Sequence, residues 1–229
     1  MTRTEQERIA GALLDRYGHR SLAEEAEINL QGAPHSLYQL LQLAALADAR
    51  TGPGEAVRIF TELRGRRWST AGHMVRADPA EVSRTLTAAG LPESDSERIT
   101  TAMRDAALHL QEDHGGDLGE LREDAGRDPE RERALLRHFA GVDDTVVDAF
   151  VREAQLLWTE LMPFADKKAL DAAARLELDE DAAGLRGLAG GDREFVRLVD
   201  ALVRIRHERD GYREIRDRAR SEGGGRDRR

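Results

Sequence analysis

Residues 131–161 read RERALLRHFAGVDDTVVDAFVREAQLLWTEL, and the way this run folds decides the architecture. Arg131 to Phe139 carries no strand-type alternation and reads as a helix. Ala140-Gly141-Val142-Asp143 is a tight turn, with Gly141 halting the first helix. From Asp144 to Leu161, the residues Val147, Phe150, Val151, Ala154, Leu157 and Leu161 recur at helical spacing and make one apolar stripe. Pro163 closes that helix, and Asp166 opens another that runs to about Leu176. The spacing predicts an αα-hairpin followed by an Asp-capped helix.

Working outward, the same period of 3.6 dominates. Ile9, Leu13, Leu14 and Tyr17 share one face of a first helix. A second runs from about Ser36, with Leu37, Leu40, Leu41, Ala44 and Ala45 inward. Gly52-Pro53-Gly54 separates it from a third, Glu55 to Leu63, and Trp68 to Val75 is a short fourth. Asp78-Pro79 is an N-cap with Pro at the first helical position, and that helix ends at Gly90. Asp95 or Ser96 caps a long helix through His109 and Leu110, stopped by Gly115-Gly116. One or two turns fit Asp117 to Ala125, and two more helices follow, Ala182 to Leu188 and from Asp192 onward. No strand pair and no internal repeat is found, so the fold class predicted is all-α.

Composition narrows the chemistry. The chain has 229 residues, 40% hydrophobic and 34% charged, with a formal net charge of −9. It has no cysteine, which excludes disulfides, thiolate catalysis, Cys-ligated zinc and iron–sulfur clusters held by thiolates. No apolar run approaches the roughly 20 residues of a membrane span. Residues 1 to 20 carry Arg3, Glu5, Glu7, Arg8, Asp15 and Arg16 without an apolar stretch, so no signal peptide is expected, and the expectation is a cytoplasmic protein that does not engage membranes. The acidic total argues against a nonspecific nucleic-acid coat, but leaves room for a local basic cleft. Lys167 and Lys168 are the only lysines, so any Schiff-base chemistry by a side-chain amine has two candidates. From Ala201 to Arg229 there are ten Arg against six acidic residues, a local +4. Residues 221–229 have nothing to bury and are predicted to be a disordered tail.

Familiar motifs are missing. There is no P-loop, no dinucleotide glycine fingerprint and no nucleophile elbow. His109 and His114 flank Glu112 and Asp113, but a spacing of five puts the two imidazoles on different helix faces, so no metal site is expected there. Glu24-Glu25 and Glu177 to Asp181 lack the spacing of a calcium loop. Neither a metal nor a cofactor is called for.

Several segments, in order, resemble the helix-hairpin-helix DNA glycosylase superfamily typified by endonuclease III. Leu40-Leu41 through Asp48-Ala49-Arg50-Thr51 is similar to that family's first barrel helix and the loop after it. Ala89-Gly90-Leu91 with Ser96-Glu97-Arg98-Ile99 resembles its Gly-Leu turn and the helix beyond. Leu110 to Leu118 is similar to the next segment. Leu135-Leu136-Arg137-His138-Phe139-Ala140-Gly141-Val142 stands where the family has Leu-x-x-Leu-Pro-Gly-Val-Gly. Phe164-Ala165-Asp166 falls where the family carries its catalytic Asp, and Leu170 to Leu176 resembles the helix behind it. The resemblance spans Leu37 to about Leu178.

The resemblance implies a two-lobed helical glycosylase-like fold. Residues 31–163 would be a six-helix lobe ending in the helix-hairpin-helix (131–161), and residues 1–30 with 164–220 a second lobe. Double-stranded DNA would lie between them, with a damaged base flipped out of the stack. Asp166 would be the catalytic carboxylate. Gly141, Val142, Asp143 and Thr145 would place hairpin amides on a phosphate, with Arg137, Lys167 and Lys168 as supporting cations and Arg50 near the gap left by the flipped base. Some positions depart from the family pattern. The amine of bifunctional members falls at Thr145, so no lyase activity is expected. The hairpin proline is Ala140. The second hairpin glycine is Asp143, where a left-handed backbone would strain a side chain and a carboxylate would repel phosphate. The implied activity is a monofunctional DNA glycosylase of base-excision repair. The alternatives are a catalytically degenerate relative that binds DNA or a protein partner, and an all-helical interaction domain without a nucleic-acid role. Trp68, Trp158, Tyr38 and Phe164 are the aromatic candidates for stacking on a base. The lesion and the oligomeric state are not legible.

Overall fold

Capping residues set most of the helix boundaries. The computed structural model describes residues 1–31, 35–48 and 52–224. Among them no β-strand occurs, and the chain is all-helical. In order the helices are α1 (Arg3–Tyr17), α2 (Leu22–Glu25), α3 (His35–Asp48), α4 (Pro53–Gly65), α5 (Ala71–Arg76), α6 (Pro79–Ala88) and α7 (Glu93–His114). They continue with α8 (Leu118–Asp124), α9 (Pro129–Leu136), α10 (Asp144–Ala154), α11 (Lys167–Arg175), α12 (Ala182–Leu188), α13 (Asp192–Arg204) and α14 (Gly211–Gly224). No described helix is long and apolar enough to cross a membrane.

The chain forms two compact units, Leu22–Leu161 and Met1–Ser21 with Met162–Arg229. The boundaries read from the sequence lie at 30/31 and 163/164, so residues 22–30, including the short α2, and residues 162–163 each fall on the other side. The Ala23 N–H donates to both carboxylate oxygens of buried Glu153 on α10, at 2.8 and 3.0 Å, which ties α2 to the larger unit. In that unit α3 packs on α10 and α4, and α7 packs on α5 and α6. In the other, α1 packs on α13 and α14, around a core that includes Leu13, Phe195, Leu198 and Ile215.

Several predicted boundaries moved, each for a local reason. Arg67 takes a positive φ of 65° and ends α4, so Trp68 packs inward from a turn, and α5 starts later, at Ala71, behind the Thr70 cap. The long helix α7 begins at Glu93, with Pro92 rather than Asp95 or Ser96 at its cap position. Proline presets the backbone there and has no N–H to leave unsatisfied, while Ser96 is fully buried. Asp128 caps α9 and Pro129 opens it, the same device as Asp78-Pro79.

Helix α10 stops at Ala154 instead of Leu161. The Gln155 side chain donates to the Arg152 carbonyl at 2.7 Å, the acceptor that residue 156 would use in a continuing helix. The chain then tightens through Leu156 N–H to the Glu153 carbonyl, and a 3₁₀ turn, Thr159–Leu161, follows. This turn brings Trp158 edge-on to Phe150, ring centroids 5.5 Å apart. The chain after Asp192 breaks into α13 and α14. The predicted tail is corrected in part, because α14 is helical to Gly224. Ala219 is buried in the core, and the Ser221 hydroxyl donates to the Asp217 carbonyl at 2.9 Å. Residues 225–229 lie outside the described residues.

Candidate nucleic-acid interface

The hairpin turn is built from backbone bonds. His138 and Phe139 N–H groups donate to the Leu135 and Leu136 carbonyls, and Val142 N–H donates to the Phe139 carbonyl. Gly141 adopts φ +73°, and a Cβ there would lie 2.5 Å from the Ala102 Cβ of α7. This position therefore needs glycine twice, for its backbone and for its close approach. Val142 and Val146 are buried below the turn.

The structure overturns the strain expected at Asp143. Its φ is −96°, an ordinary extended value, and it is the N-cap of α10. One carboxylate oxygen accepts from Thr145 N–H at 2.9 Å and from Val146 N–H at 3.0 Å. The residue is stable there because those amides have no acceptor within the helix. The same bonds place the chain's own anion on the amides that the resemblance would assign to a phosphate. Arg137 is also engaged locally, its guanidinium 2.7 Å from Asp144, with both side chains well exposed. Such a pair contributes little and yields readily to a competing anion. Arg133 pairs with Asp148 across the hairpin, joining α9 to α10. Replacing Asp143 with Ala should lower stability by about 1 kcal/mol, whereas Asn should hold the cap and change it by only a few tenths. Chemical denaturation of both variants checks this.

The remaining candidates belong to the other unit or lie elsewhere. Asp166 is buried and caps α11, accepting from Ala169 N–H at 2.8 Å. Lys167 is 85% exposed and reaches Asp171 at 2.9 Å, one turn along α11. The Lys168 carbonyl accepts from Arg206 at 3.1 Å. Thr145 stands half-exposed in the first turn of α10. Arg50 lies outside the described residues. Of the aromatic candidates, Tyr38, Trp68 and Trp158 are buried. The Tyr38 hydroxyl donates to the Met103 carbonyl at 3.2 Å, and burial pushes its phenol well above the usual range. Phe164 is half-buried.

Sequence reasoning did not find two features. A cavity of about 240 Å³ lies against the hairpin turn, between α3 and α7, walled by Tyr38, Gln42, Ile99, Met103, Gly141 and Val146 among others. A second cluster joins Arg122, Glu132 and Glu160, which stand far apart in the chain and form no motif. The His109 and His114 rings do not diverge as expected. They stack with centroids 6.3 Å apart, because both pack against Phe139 of the hairpin. Each imidazole pairs with its own carboxylate, Asp113 or Asp124, at 3.0 and 2.9 Å. Among the described residues no group of three His, Cys, Asp or Glu side chains could hold a metal ion. Compared with known proteins, the chain matches no family model and no curated relative.

Proposed function

We propose that this chain is a helix-hairpin-helix protein that engages double-stranded DNA and releases a damaged base by hydrolysis. The observation that carries the reading is the hairpin itself: α9, a turn with left-handed Gly141 seated on α7, and α10. Asp166, the N-cap of α11, stands where the resemblance puts a catalytic carboxylate and adds support. In this reading Asp166 stabilises positive charge developing on the sugar as the N-glycosidic bond breaks, or orients the attacking water. A buried carboxylate suits that task, because its field is weakly screened and its geometry is held by the Ala169 amide. Thr145 offers no amine, so the reading is of a monofunctional enzyme.

A second reading has its own observation. The Asp143 carboxylate already sits on the Thr145 and Val146 amides, which favours a relative that has lost catalysis and binds DNA weakly or serves a protein partner. The two are separated by incubating the protein with duplexes that carry alkylated, oxidised or deaminated bases and scoring abasic sites. Base release supports the first. Salt-sensitive duplex binding without release from any substrate supports the second. The absence of both binding and release would defeat the glycosylase and the DNA-binding readings and leave the protein-partner role. Asp143→Asn keeps the cap and removes one negative charge, so duplex binding should tighten about two- to fivefold, roughly 0.5–1 kcal/mol. Unchanged affinity in a fluorescence anisotropy titration would mean that the turn does not meet DNA.

A further inference from the structure

Helix α9 carries a carboxylic acid at a core position. Glu132 and Leu136, one helical turn apart, are its buried residues, and Glu132 is fully buried. An ionised carboxylate in such a place needs a cation or several hydrogen-bond donors of its own. Arg122 on α8 is the nearby cation, but it grips Glu160 instead. Its Nε and Nη2 each lie 2.6 Å from one Glu160 oxygen, a two-pronged pair with both side chains more than four-fifths buried. The guanidinium is backed by the face of Trp158, 6.0 Å from the ring centroid. Neither oxygen of Glu132 receives a hydrogen bond from any donor among the described residues. What its carboxyl meets is the Glu160 carboxyl. Two carboxyl groups attract only when one of them holds a proton and donates it.

We infer that Glu132 and Glu160 form an acid–carboxylate pair that acts as a proton-operated clasp, holding the first hairpin helix to α8 and to the 3₁₀ turn. The Glu132 hydroxyl donates to Glu160, and Arg122 compensates the single negative charge of the pair. When the proton leaves, two carboxylates share one guanidinium in a buried site. The charged groups facing Glu132 are Arg122 from α8, Glu160 from the turn and Asp128 from the cap of its own helix. Arg133, next along α9, pairs with Asp148 on α10. Burial first, then Glu160, push Glu132 up to about 8, while the Arg122 fork holds Glu160 down to about 2.

The sign follows from which state holds the proton more tightly. Glu132 is raised in the folded state, so its contribution is complete below its ordinary value of 4.5 and fades as pH rises through about 8. Glu160 is lowered, so its contribution is present above 4.5 and fades as pH falls toward about 2. The clasp is therefore strongest in mildly acidic solution and opens in alkali.

The test is thermal melting of the full chain against pH, with Glu132→Gln as the variant. Gln has the same shape, donates to Glu160 and cannot ionise. Wild-type Tm should fall between about pH 4.5 and pH 8 and level off above that, while that of the variant stays nearly level, leaving the variant roughly 5 °C higher at the alkaline end. Parallel profiles would overturn the inference. A direct readout on the wild type keeps it falsifiable if the variant does not fold. In a carbon-13 NMR titration of glutamate-labelled protein, one side-chain carboxyl should titrate above about pH 7. If every glutamate titrates in the ordinary carboxylate range, the clasp does not exist.

Discussion

If Asp166 is the catalytic carboxylate of the proposed reading, Asp166→Asn should lower the rate of base release by roughly a hundredfold or more, through loss of a few kcal/mol of transition-state stabilisation. The choice of Asn follows from the local structure. Asp166 caps α11 through one oxygen that accepts from Ala169 N–H, and an amide oxygen can make the same bond. Asn caps a helix about as well as Asp, so the fold is kept while the charge is removed. Asp166→Ala removes both and should cost about a further 1 kcal/mol of stability. Single-turnover assays on whichever lesion is processed, with salt held constant, separate the chemical step from binding. Duplex affinity should hold or rise, because an anion has been removed. A protein that releases bases equally well with Asn at this position does not use Asp166 as its catalytic carboxylate.

Gly141→Ala carries the largest expected effect on folding. The backbone there has φ +73°, which costs an ordinary residue about 1–2 kcal/mol. The new methyl would also stand 2.5 Å from the Ala102 Cβ, far inside van der Waals contact. Relieving that overlap means moving the hairpin off α7, at about 1–3 kcal/mol. Together these give a loss of about 2–5 kcal/mol and a fall in Tm of roughly 4–20 °C. The two causes can be separated. Ala102→Gly in the same molecule removes the overlap and leaves the backbone strain, so the double variant should recover part of the loss. A double-mutant cycle should show a favourable coupling of about 1 kcal/mol or more. Additive effects would mean that the turn and α7 do not approach each other as described.

The helices were legible because their signals are local. Asp78-Pro79, Gly115 and the apolar stripes of α1, α3 and α10 act within a turn or two of backbone, and neighbouring residues suffice to read them. The end of α10 was not legible. The apolar stripe runs on through Leu157 and Leu161, and the helix stops because the Gln155 amide takes a carbonyl that the helix needs. Competition between a side chain and the backbone for one acceptor leaves no mark on hydrophobic period.

The candidate site divides in the same way. Its parts could be named from the sequence: a glycine in the turn at 141, an Asp cap at 166, and no amine at 145. The role of Asp143 could not. Measured against a glycine pattern it looked like a strained residue, whereas the folded turn holds it at φ −96° with its carboxylate on two backbone amides. The stacked His109 and His114 rings, and the meeting of Arg122, Glu132 and Glu160, depend on contacts between elements 10 to 38 residues apart. The sequence by itself determined the all-helical class and most helix starts, because capping and periodicity are short-range. Only the tertiary structure decided which charges are satisfied and which buried acid lacks a cation, because these depend on which side chains meet once the helices have packed.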